Sequence, residues 1–251
     1  MEAIIDIKNV TKVYKVGSER ITALDGVSLQ IQKGEFCCLL GTSGSGKSTL
    51  LNVMAGIEKL TSGDIIIRNR KINKMSENQL SIFRQKYLGF IFQAYNLIPS
   101  LTAFENVELP LIFKEISPKK RFKMVKEIIQ AVGLSGRAKH KPSQMSGGQQ
   151  QRVGIARAFV ASPEIIFADE PTGNLDTKTT MEIMNLIKEM SKKYNQTIVM
   201  VTHDVRIAEF ADKIVHIHDG KIMNIEERNV ESGLTEANQE VEVIDKAEGD
   251  N

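Results

Sequence analysis

A glycine-rich segment is the part of the sequence whose residue types and spacing most clearly predict chemistry. Residues 41–48 read Gly-Thr-Ser-Gly-Ser-Gly-Lys-Ser and fit the pattern G-x-x-x-x-G-K-[ST] in full. Glycines let the backbone turn tightly, so that the amides from Gly44 to Thr49 can donate to phosphate oxygens at the positive end of a helix. Lys47 adds a charge for the β- and γ-phosphates, and the Ser48 hydroxyl can bind Mg²⁺. The predicted residues of this phosphate loop are Gly41, Ser43, Gly44, Ser45, Gly46, Lys47, Ser48 and Thr49.

A pair of acidic residues at the end of an apolar run supplies the complementary chemistry. Residues 165–168 read Ile-Ile-Phe-Ala, and Asp169 and Glu170 follow directly. Such a run is typical of a buried strand, and ligands of open α/β sheets bind at the carboxyl ends of the strands. We therefore expect Asp169 to hold Mg²⁺ through its water shell and Glu170 to polarise an attacking water.

The segments around these motifs alternate between strand and helix patterns. Phe36–Leu40 is wholly apolar, as in a buried parallel strand, and the phosphate loop separates it from a predicted helix over 47–57. Strands are also predicted over 165–168 and 197–202, with a helix over 179–193 between them. Alternation with short links predicts an α/β fold with a parallel sheet.

A second predicted region, residues 95–159, is helical rather than alternating. It contains an amphipathic helix over 119–132, and all six prolines of the chain lie between positions 99 and 171. We interpret this region as a helical insertion in the α/β core. The residues predicted to face inward on the three helices are Leu50, Leu51, Met54, Ile57, Phe122, Val125, Ile128, Ile129, Val132, Ile183, Leu186, Ile187 and Met190.

Residues 145–152, the signature segment, read Met-Ser-Gly-Gly-Gln-Gln-Gln-Arg and resemble the signature sequence of ATP-binding cassette (ABC) ATPases. That family usually has Leu where Met145 stands, and both side chains are apolar and of similar size. Amides and a hydroxyl at a helix start form a second anion-binding surface. The resemblance implies that four residues here contact nucleotide: Ser146, Gly147, Gly148 and Gln149.

Four further features occur in the order that ABC ATPases show. Tyr14 resembles the aromatic residue that stacks on adenine, and Gln93 resembles the glutamine that senses Mg²⁺ and joins the core to the insertion. Gly173–Asp176 resembles the D-loop that contacts the other cassette, although Asp176 also suits a helix cap. His203 resembles the switch histidine that touches the γ-phosphate. The implied roles are catalysis for Glu170, His203 and Gln93, Mg²⁺ binding for Ser48, Gln93 and Asp169, and nucleotide binding for Tyr14 and Asp176.

The resemblance extends over about residues 3–225 and implies a fold, a domain organisation and a dimer. The implied fold is α/β, a P-loop NTPase core with a RecA-like parallel sheet, an N-terminal antiparallel β subdomain and an inserted α-helical subdomain. The implied division is a core at 1–94 and 160–225, a helical signature subdomain at 95–159 and an acidic, disordered tail at 226–251. Two copies would form a homodimer in which each ATP lies between the phosphate loop of one chain and the signature segment of the other.

A narrower resemblance concerns residues 92–99, 101–111 and 168–176. These resemble the subfamily that serves macrolide export, lipoprotein release, antimicrobial-peptide resistance and the cell-division ATPase–permease pair. Such cassettes work with a separately encoded membrane permease. The resemblance implies an ATP hydrolase peripheral to the cytoplasmic face of the membrane, working in export, with a permease helix docking near Tyr95–Leu111.

Composition excludes several classes of protein. The chain has 251 residues, 41% of them hydrophobic, no Trp and no long apolar run, so a fibrous or membrane-spanning protein is not expected. Residues 226–251 carry nine acidic and two basic residues, a net charge of −7, which leaves +9 on residues 1–225. That basic body has no patch with interleaved base-reading side chains, so no nucleic-acid partner is expected. The only cysteines, Cys37 and Cys38, are adjacent and cannot pair within one strand, as suits a reducing compartment.

Two other functions remain open from the sequence. An ATPase that signals through its permease to cell-wall enzymes would have the same nucleotide site. A soluble ABC protein acting on ribosomes or DNA usually carries two cassettes or a long coiled coil, and this chain has one cassette and no sustained heptads. A GTPase is not expected, because residues 73–76, Asn-Lys-Met-Ser, lack the Asp of the base-reading motif Asn-Lys-x-Asp.

Overall fold

Two β-sheets and seven helices make up the described part of the chain, residues 3–228 of a computed structural model. The strands are β1 (Ala3–Val16), β2 (Glu19–Gln32), β3 (Phe36–Leu40), β4 (Ser62–Ile67), β5 (Arg70–Lys71), β6 (Leu88–Phe92), β7 (Ile165–Asp169), β8 (Thr197–Thr202), β9 (Lys213–His218) and β10 (Lys221–Glu227). The helices are α1 (Lys47–Met54), α2 (Glu77–Tyr87), α3 (Ala103–Phe113), α4 (Pro118–Ala131), α5 (Gly147–Phe159), α6 (Thr177–Tyr194) and α7 (Val205–Ala208). None of these helices is long and apolar enough to cross a membrane.

The larger sheet has six strands in the order β10-β9-β3-β8-β7-β6. All neighbours in it pair in parallel except β10, which runs antiparallel to β9. The other sheet, β2-β1-β4-β5, is antiparallel and contains the N-terminal strands. The predicted α/β fold with a parallel sheet is confirmed. Because parallel strands share one direction, the segments that follow β3, β6, β7 and β8 all lie at the same edge.

The hydrophobic core consists of two clusters, and β3 contributes to both. Cys38 and Leu40 belong to the cluster that contains the buried residues of α3 to α6, whereas Cys37 and Leu39 belong to the cluster with α1 and the antiparallel sheet. This division follows from the alternation of side chains across a strand. Both cysteines are fully buried and unpaired, as the sequence predicted.

Only helices and short 3₁₀ turns lie between β6 and β7, and they form the layer that carries the signature segment. α3 packs against α4 and α5, and the buried stripe of α4 consists of Val125, Ile128 and Ile129. Each of α3 and α5 starts with a capping box, formed by Thr102 and by Ser146. These caps fix where the helices begin.

Two predictions of inward-facing residues were wrong. Ile57 is 52% exposed because α1 ends at Met54, so the helical period no longer applies three residues later. Phe122 is 59% exposed, and its ring packs against Phe104 at the rim of the layer, 5.4 Å between centroids. The buried stripe of α4 is already filled, which leaves Phe122 outside it.

The predicted start of the acidic tail is also displaced. β10 continues to Glu227, which is paired with Lys213 of β9 and lies 3.7 Å from the Lys213 ammonium. The strand therefore runs two residues past the expected core boundary at 225. Residues 229–251 of the expected tail lie outside the described residues, and the division into core and insertion stays a prediction.

Candidate functional site

The phosphate loop connects β3 directly to α1, as the strand–loop–helix pattern predicted. Gly46 has φ +100°, and a side chain there would place Cβ 2.5 Å from the carbonyl oxygen of Ala23. Only glycine meets both conditions. Lys47 begins the helix and is only 5% exposed, and its ammonium donates to the carbonyl of Thr42 across the loop at 2.6 Å. Burial lowers the pKa of Lys47, and the nearby carboxylates of Glu170 and Asp169 oppose that shift.

Ser48 and Asp169 are 121 positions apart in the chain and meet at the edge of the sheet. The Ser48 hydroxyl donates to Oδ1 of Asp169 at 3.1 Å. Burial raises the pKa of the Asp169 carboxyl, and Glu170 adds to this, while the Ser48 bond and the Lys47 charge oppose it. Two hard oxygen donors side by side are the kind of ligand that Mg²⁺ takes, so the donor set fits this ion.

Glu170 and His203 lie together just beyond the ends of β7 and β8. His203 Nδ1 is 3.1 Å from Glu170 Oε1, and the Glu170 amide donates to the carbonyl of Val201 at 3.1 Å. Glu170 has φ +42°, a backbone region that non-glycine residues rarely adopt outside functional or tightly constrained positions. The backbone and the histidine thus both orient this carboxylate.

Gln93 follows β6 at the same edge but is bonded elsewhere. Its Nε2 donates to Oδ1 of Asn174 at 3.3 Å, and Asn174 Nδ2 donates back to the Gln93 carbonyl at 3.1 Å. This reciprocal pair joins Gln93, just after β6, to the expected D-loop. No hydrogen bond within residues 3–228 joins Gln93 to Ser48 or Asp169, although β6 pairs Phe92 opposite Asp169.

Helix α5 reaches the loops that follow β6 and β7 through two side chains that sequence reasoning missed. Arg157 donates to the carbonyls of Tyr95 (2.7 Å) and Asn96 (2.5 Å), which have φ of +61° and +49°. The buried Gln151 donates from Nε2 to the carbonyl of Pro171. Gln151 lies inside the signature segment, but the signature pattern does not predict its bond to Pro171.

The start of α5 is shaped by the same loop. A Cβ at Gly147 would lie 2.8 Å from the hydroxyl of Tyr95, so any larger residue there would push this ring aside. Ser146 accepts from the Gln149 amide at 3.3 Å, and the Gln149 side chain accepts from the Ser146 amide at 3.1 Å. No hydrogen bond or ion pair of the described chain joins Ser146–Gln149 to the phosphate loop.

Two further predicted site residues, Asp176 and Tyr14, have side-chain hydrogen-bond partners within the chain. Asp176 caps α6, because its carboxylate accepts from the amide of Thr179 at 3.0 Å and from its hydroxyl at 2.6 Å. Tyr14 is a half-buried residue of β1, and its hydroxyl donates to Glu58 Oε2 at 2.5 Å. Both residues were predicted to bind nucleotide from the family resemblance. The helix cap by Asp176 was also predicted, whereas the bond between Tyr14 and Glu58 was not.

A phosphate-binding loop, an oxygen pair for a divalent cation and a glutamate beside a histidine, all at the carboxyl edge of a parallel sheet, define a P-loop nucleotide-binding protein. The chain belongs to the ABC transporter family, whose model matches residues 24–173, more than half of the chain. The resemblance seen in the signature segment is thereby confirmed.

Similar proteins agree with this assignment. The solved dimeric structure of the ATP-binding cassette MJ0796 from Methanocaldococcus jannaschii, in a post-hydrolysis state bound to ADP and Pi, has a TM-score of 0.82 and 47% identity. The match covers 89% of this chain and 98% of that one. The lipoprotein-releasing system ATP-binding protein LolD of Pseudoalteromonas translucida is 43% identical over 91% of this chain and 99% of LolD. The macrolide export ATP-binding/permease protein MacB of Pasteurella multocida is 40% identical over 94% of this chain and 35% of MacB.

Proposed function

We propose that this chain is the ATP-binding and ATP-hydrolysing subunit of an ABC transporter, which dimerises on ATP and drives a separate membrane permease. The observation that carries the proposal is the meeting of Ser48 with Asp169 and of Glu170 with His203 at one sheet edge, beside the phosphate loop. Family membership and the dimeric, ADP- and Pi-bound relative support it.

The residues at this edge divide the chemistry of hydrolysis between them. Lys47 and the loop amides bind the β- and γ-phosphates, and Ser48, Asp169 and Gln93 are the residues that would hold Mg²⁺. The ion would neutralise phosphate charge as the γ-phosphoryl group leaves. Glu170 polarises the attacking water, and His203 holds the Glu170 carboxylate and contacts the γ-phosphate. A general base of this kind contributes about 10²–10⁴-fold to the rate.

A second copy of the chain completes the site. Because the signature segment is not joined to the phosphate loop of its own chain, we infer that Ser146, Gly147, Gly148 and Gln149 bind the ATP held by the partner copy. Asp176 and the rest of the D-loop lie at the same interface. ATP then holds the two copies together, and its hydrolysis lets them separate.

A Glu170→Gln variant tests this mechanism. It should bind ATP with Mg²⁺ at wild-type affinity, lose about 10²–10⁴-fold in turnover, and elute as a dimer in gel filtration with ATP. Glu189→Gln, the same change on an exposed face of α6, should remain as active as the wild type. A Glu170→Gln protein that stays monomeric with ATP and turns over normally would refute the assignment.

The docking surface for the permease is an apolar groove between the core and the helical layer. It has a volume of about 600 Å³ and is lined by side chains of α2, β6, α3 and α5. Leu109 and Pro110, which belong to the expected docking stretch, line it together with Phe90, Phe92 and Phe113. Phe113 is 66% exposed, more than a buried aromatic core residue allows. The position of the groove supports docking at the C-terminal end of α3, away from the hydroxyl of Tyr95, which faces Gly147.

Two exposed phenylalanines of the helical layer provide a matched test of docking. Phe113→Asp should leave ATP binding and the melting temperature unchanged but weaken co-purification with the permease by about 30-fold or more, because a hot-spot loss costs at least about 2 kcal/mol. Phe122→Asp, at an exposed residue that does not line the groove, should keep the permease. Retention by both variants would exclude the groove as the docking surface.

The permease that co-purifies also distinguishes the two transporter-like functions. LolD and MacB support export as the direction of transport, at the cytoplasmic face of the membrane. A permease that only controls cell-wall enzymes would instead identify the signalling ATPase.

A further inference from the structure

We propose that Glu58 is a positioning residue that fixes the ring of Tyr14, and through it the nucleotide base, relative to the phosphate loop. The inference rests on the proposed function and on the role that the family resemblance implies for Tyr14, stacking on the nucleotide base. Glu58 matches none of the sequence motifs, and its contacts in the structure are what bring it into the site.

The Glu58 carboxylate joins two elements that are far apart in the chain. One oxygen, Oε2, accepts from the Tyr14 hydroxyl at 2.5 Å, and the other, Oε1, accepts from Asn52 Nδ2 at 3.2 Å. Asn52 lies on α1, five positions after Lys47, and its carbonyl also accepts from the Glu58 amide at 3.3 Å. Glu58 therefore links the Tyr14 hydroxyl to α1, the helix that starts at the phosphate loop, and Thr49 of the same helix also contacts that hydroxyl.

Lys12 holds this carboxylate in place and occupies one face of the ring. Its ammonium lies 3.5 Å from Glu58 Oε2 and 4.6 Å from the centroid of the Tyr14 ring, and it donates to the carbonyl of Lys59 at 2.8 Å. The Lys12 ammonium is attracted to the electron-rich face of the Tyr14 ring, so a stacking partner would take the opposite face. An electron-rich purine suits such a face.

The protonation states agree with a tyrosine donor and a carboxylate acceptor. Burial raises the pKa of Tyr14, and the bond to Glu58 raises it further. Burial also pulls the pKa of Glu58 upward, but the bonds from Tyr14 and Asn52 and the charge of Lys12 outweigh it and leave this pKa lowered. At neutral pH the hydroxyl is thus a donor and Glu58 is charged.

The consequence concerns how the base adds to nucleotide affinity. Stacking depends on the plane and position of the ring, whereas the phosphate contacts are made by the loop itself. A Tyr14 ring released from Glu58 can rotate about its side-chain bonds, so the base contribution should fall while the phosphate contribution stays. The inference therefore predicts an effect on binding of the whole nucleotide that inorganic tripolyphosphate does not show.

Calorimetric titration of the full chain with Mg-ATP and with Mg-tripolyphosphate tests the inference. Glu58→Ala should weaken ATP binding about 5- to 10-fold, a partial loss of the stacking free energy, and raise KM with kcat unchanged. Binding of tripolyphosphate should not change. Glu58→Gln, which keeps an acceptor for the hydroxyl, should recover part of the affinity. Glu77→Gln is the matched control, because Glu77 pairs with the neighbouring Lys59 at 3.5 Å and is exposed.

Two tyrosine variants separate failure of this inference from failure of the proposed base contact. Tyr14→Phe keeps the ring and removes the bond, so it should reproduce the loss seen in Glu58→Ala, and the double variant should lose no more than either alone. Wild-type ATP affinity in Tyr14→Ala would reject the base contact itself. A weakened Tyr14→Ala with an unaffected Glu58→Ala, or equal loss of ATP and tripolyphosphate binding in Glu58→Ala, would overturn the positioning role while leaving the base contact intact.

Discussion

At the scale of single residues, the site combines a buried cation with two carboxylates that differ in environment. Lys47 is nearly fully buried, and its ammonium donates to the carbonyl of Thr42 in the same loop. Asp169 is held by Ser48, whereas Glu170 is oriented by His203. The two adjacent acids thus have different partners, as suits different roles.

Lys47→Ala should weaken ATP binding about 10- to 100-fold, because a hydrogen bond to a charged group is worth about 1.5–3 kcal/mol. The melting temperature should change little, since the buried ammonium carries a desolvation cost that the variant removes. Nucleotide titration of the purified protein measures the effect, and the exposed Lys126→Ala serves as control. Wild-type affinity in Lys47→Ala would reject the phosphate-loop assignment.

The sequence located the residues of the sheet edge but not the side chains that hold them. Ser48 and Asp169 were predictable because the loop pattern and the apolar strand each have a definite spacing. Glu58 and Arg157 are ordinary polar residues outside every motif, and Asn174 belongs to the expected D-loop, but each bonds to a partner about 40 to 80 positions away that no motif indicated. Such contacts depend on the tertiary fold, which a motif does not encode.

At the scale of elements, α5 contacts the loops that follow both β6 and β7. It begins at Gly147 against the ring of Tyr95, contacts Pro171 from its middle through Gln151, and holds the segment after Gln93 through Arg157 near its end. A displacement of this helix would therefore reach the loops after both β6 and β7.

Arg157→Ala should lower the free energy of unfolding by about 2–4 kcal/mol, because two carbonyls lose charge-assisted donors. Turnover should fall as well, since Tyr95 and Asn96 hold backbone conformations with positive φ only two and three positions after Gln93. Urea unfolding and an ATPase assay measure the two effects. Lys123→Ala, which breaks an exposed ion pair with Glu127 on α4, should cost less than about 1 kcal/mol. An equal, small loss of stability in both variants would show that Arg157 does not hold the segment after Gln93 in place.

Periodicity predicted the type of three strands and three helices correctly, and it failed where the apolar spacing continued past the end of the element. The strands Phe36–Leu40 and Thr197–Thr202 have the expected limits, because wholly buried strands leave no ambiguity about which face is apolar. Ile57 and Phe122 continue an apolar spacing, yet one lies past the end of its helix and the other beside a filled stripe.

At the scale of the whole molecule, charge is divided between a basic body and an acidic C-terminal segment. Every predicted nucleotide-binding residue lies between positions 14 and 203, far along the chain from residues 230–251. The segment therefore has no expected part in hydrolysis.

Deleting residues 230–251 should leave ATPase turnover and KM nearly unchanged, and should raise the net charge of the chain because seven acidic residues and one basic residue are removed. Steady-state kinetics of the full-length and shortened chains at equal salt concentration make the comparison. A several-fold change in either direction would show that the segment regulates the cassette.

The adjacent cysteines of β3 make the natural sequence a ready background for site-specific spectroscopic labelling. Burial raises the pKa of Cys38 to about 12 and that of Cys37 well above its usual value, so neither thiol ionises at neutral pH. The native protein should not react with a maleimide or Ellman's reagent, and two thiols should appear in denaturant. A Met181→Cys variant, at an exposed position of α6 near the D-loop, would then carry the single spin label per chain. Pulsed electron resonance between the labels of two chains could follow their approach on ATP addition without removal of any native cysteine.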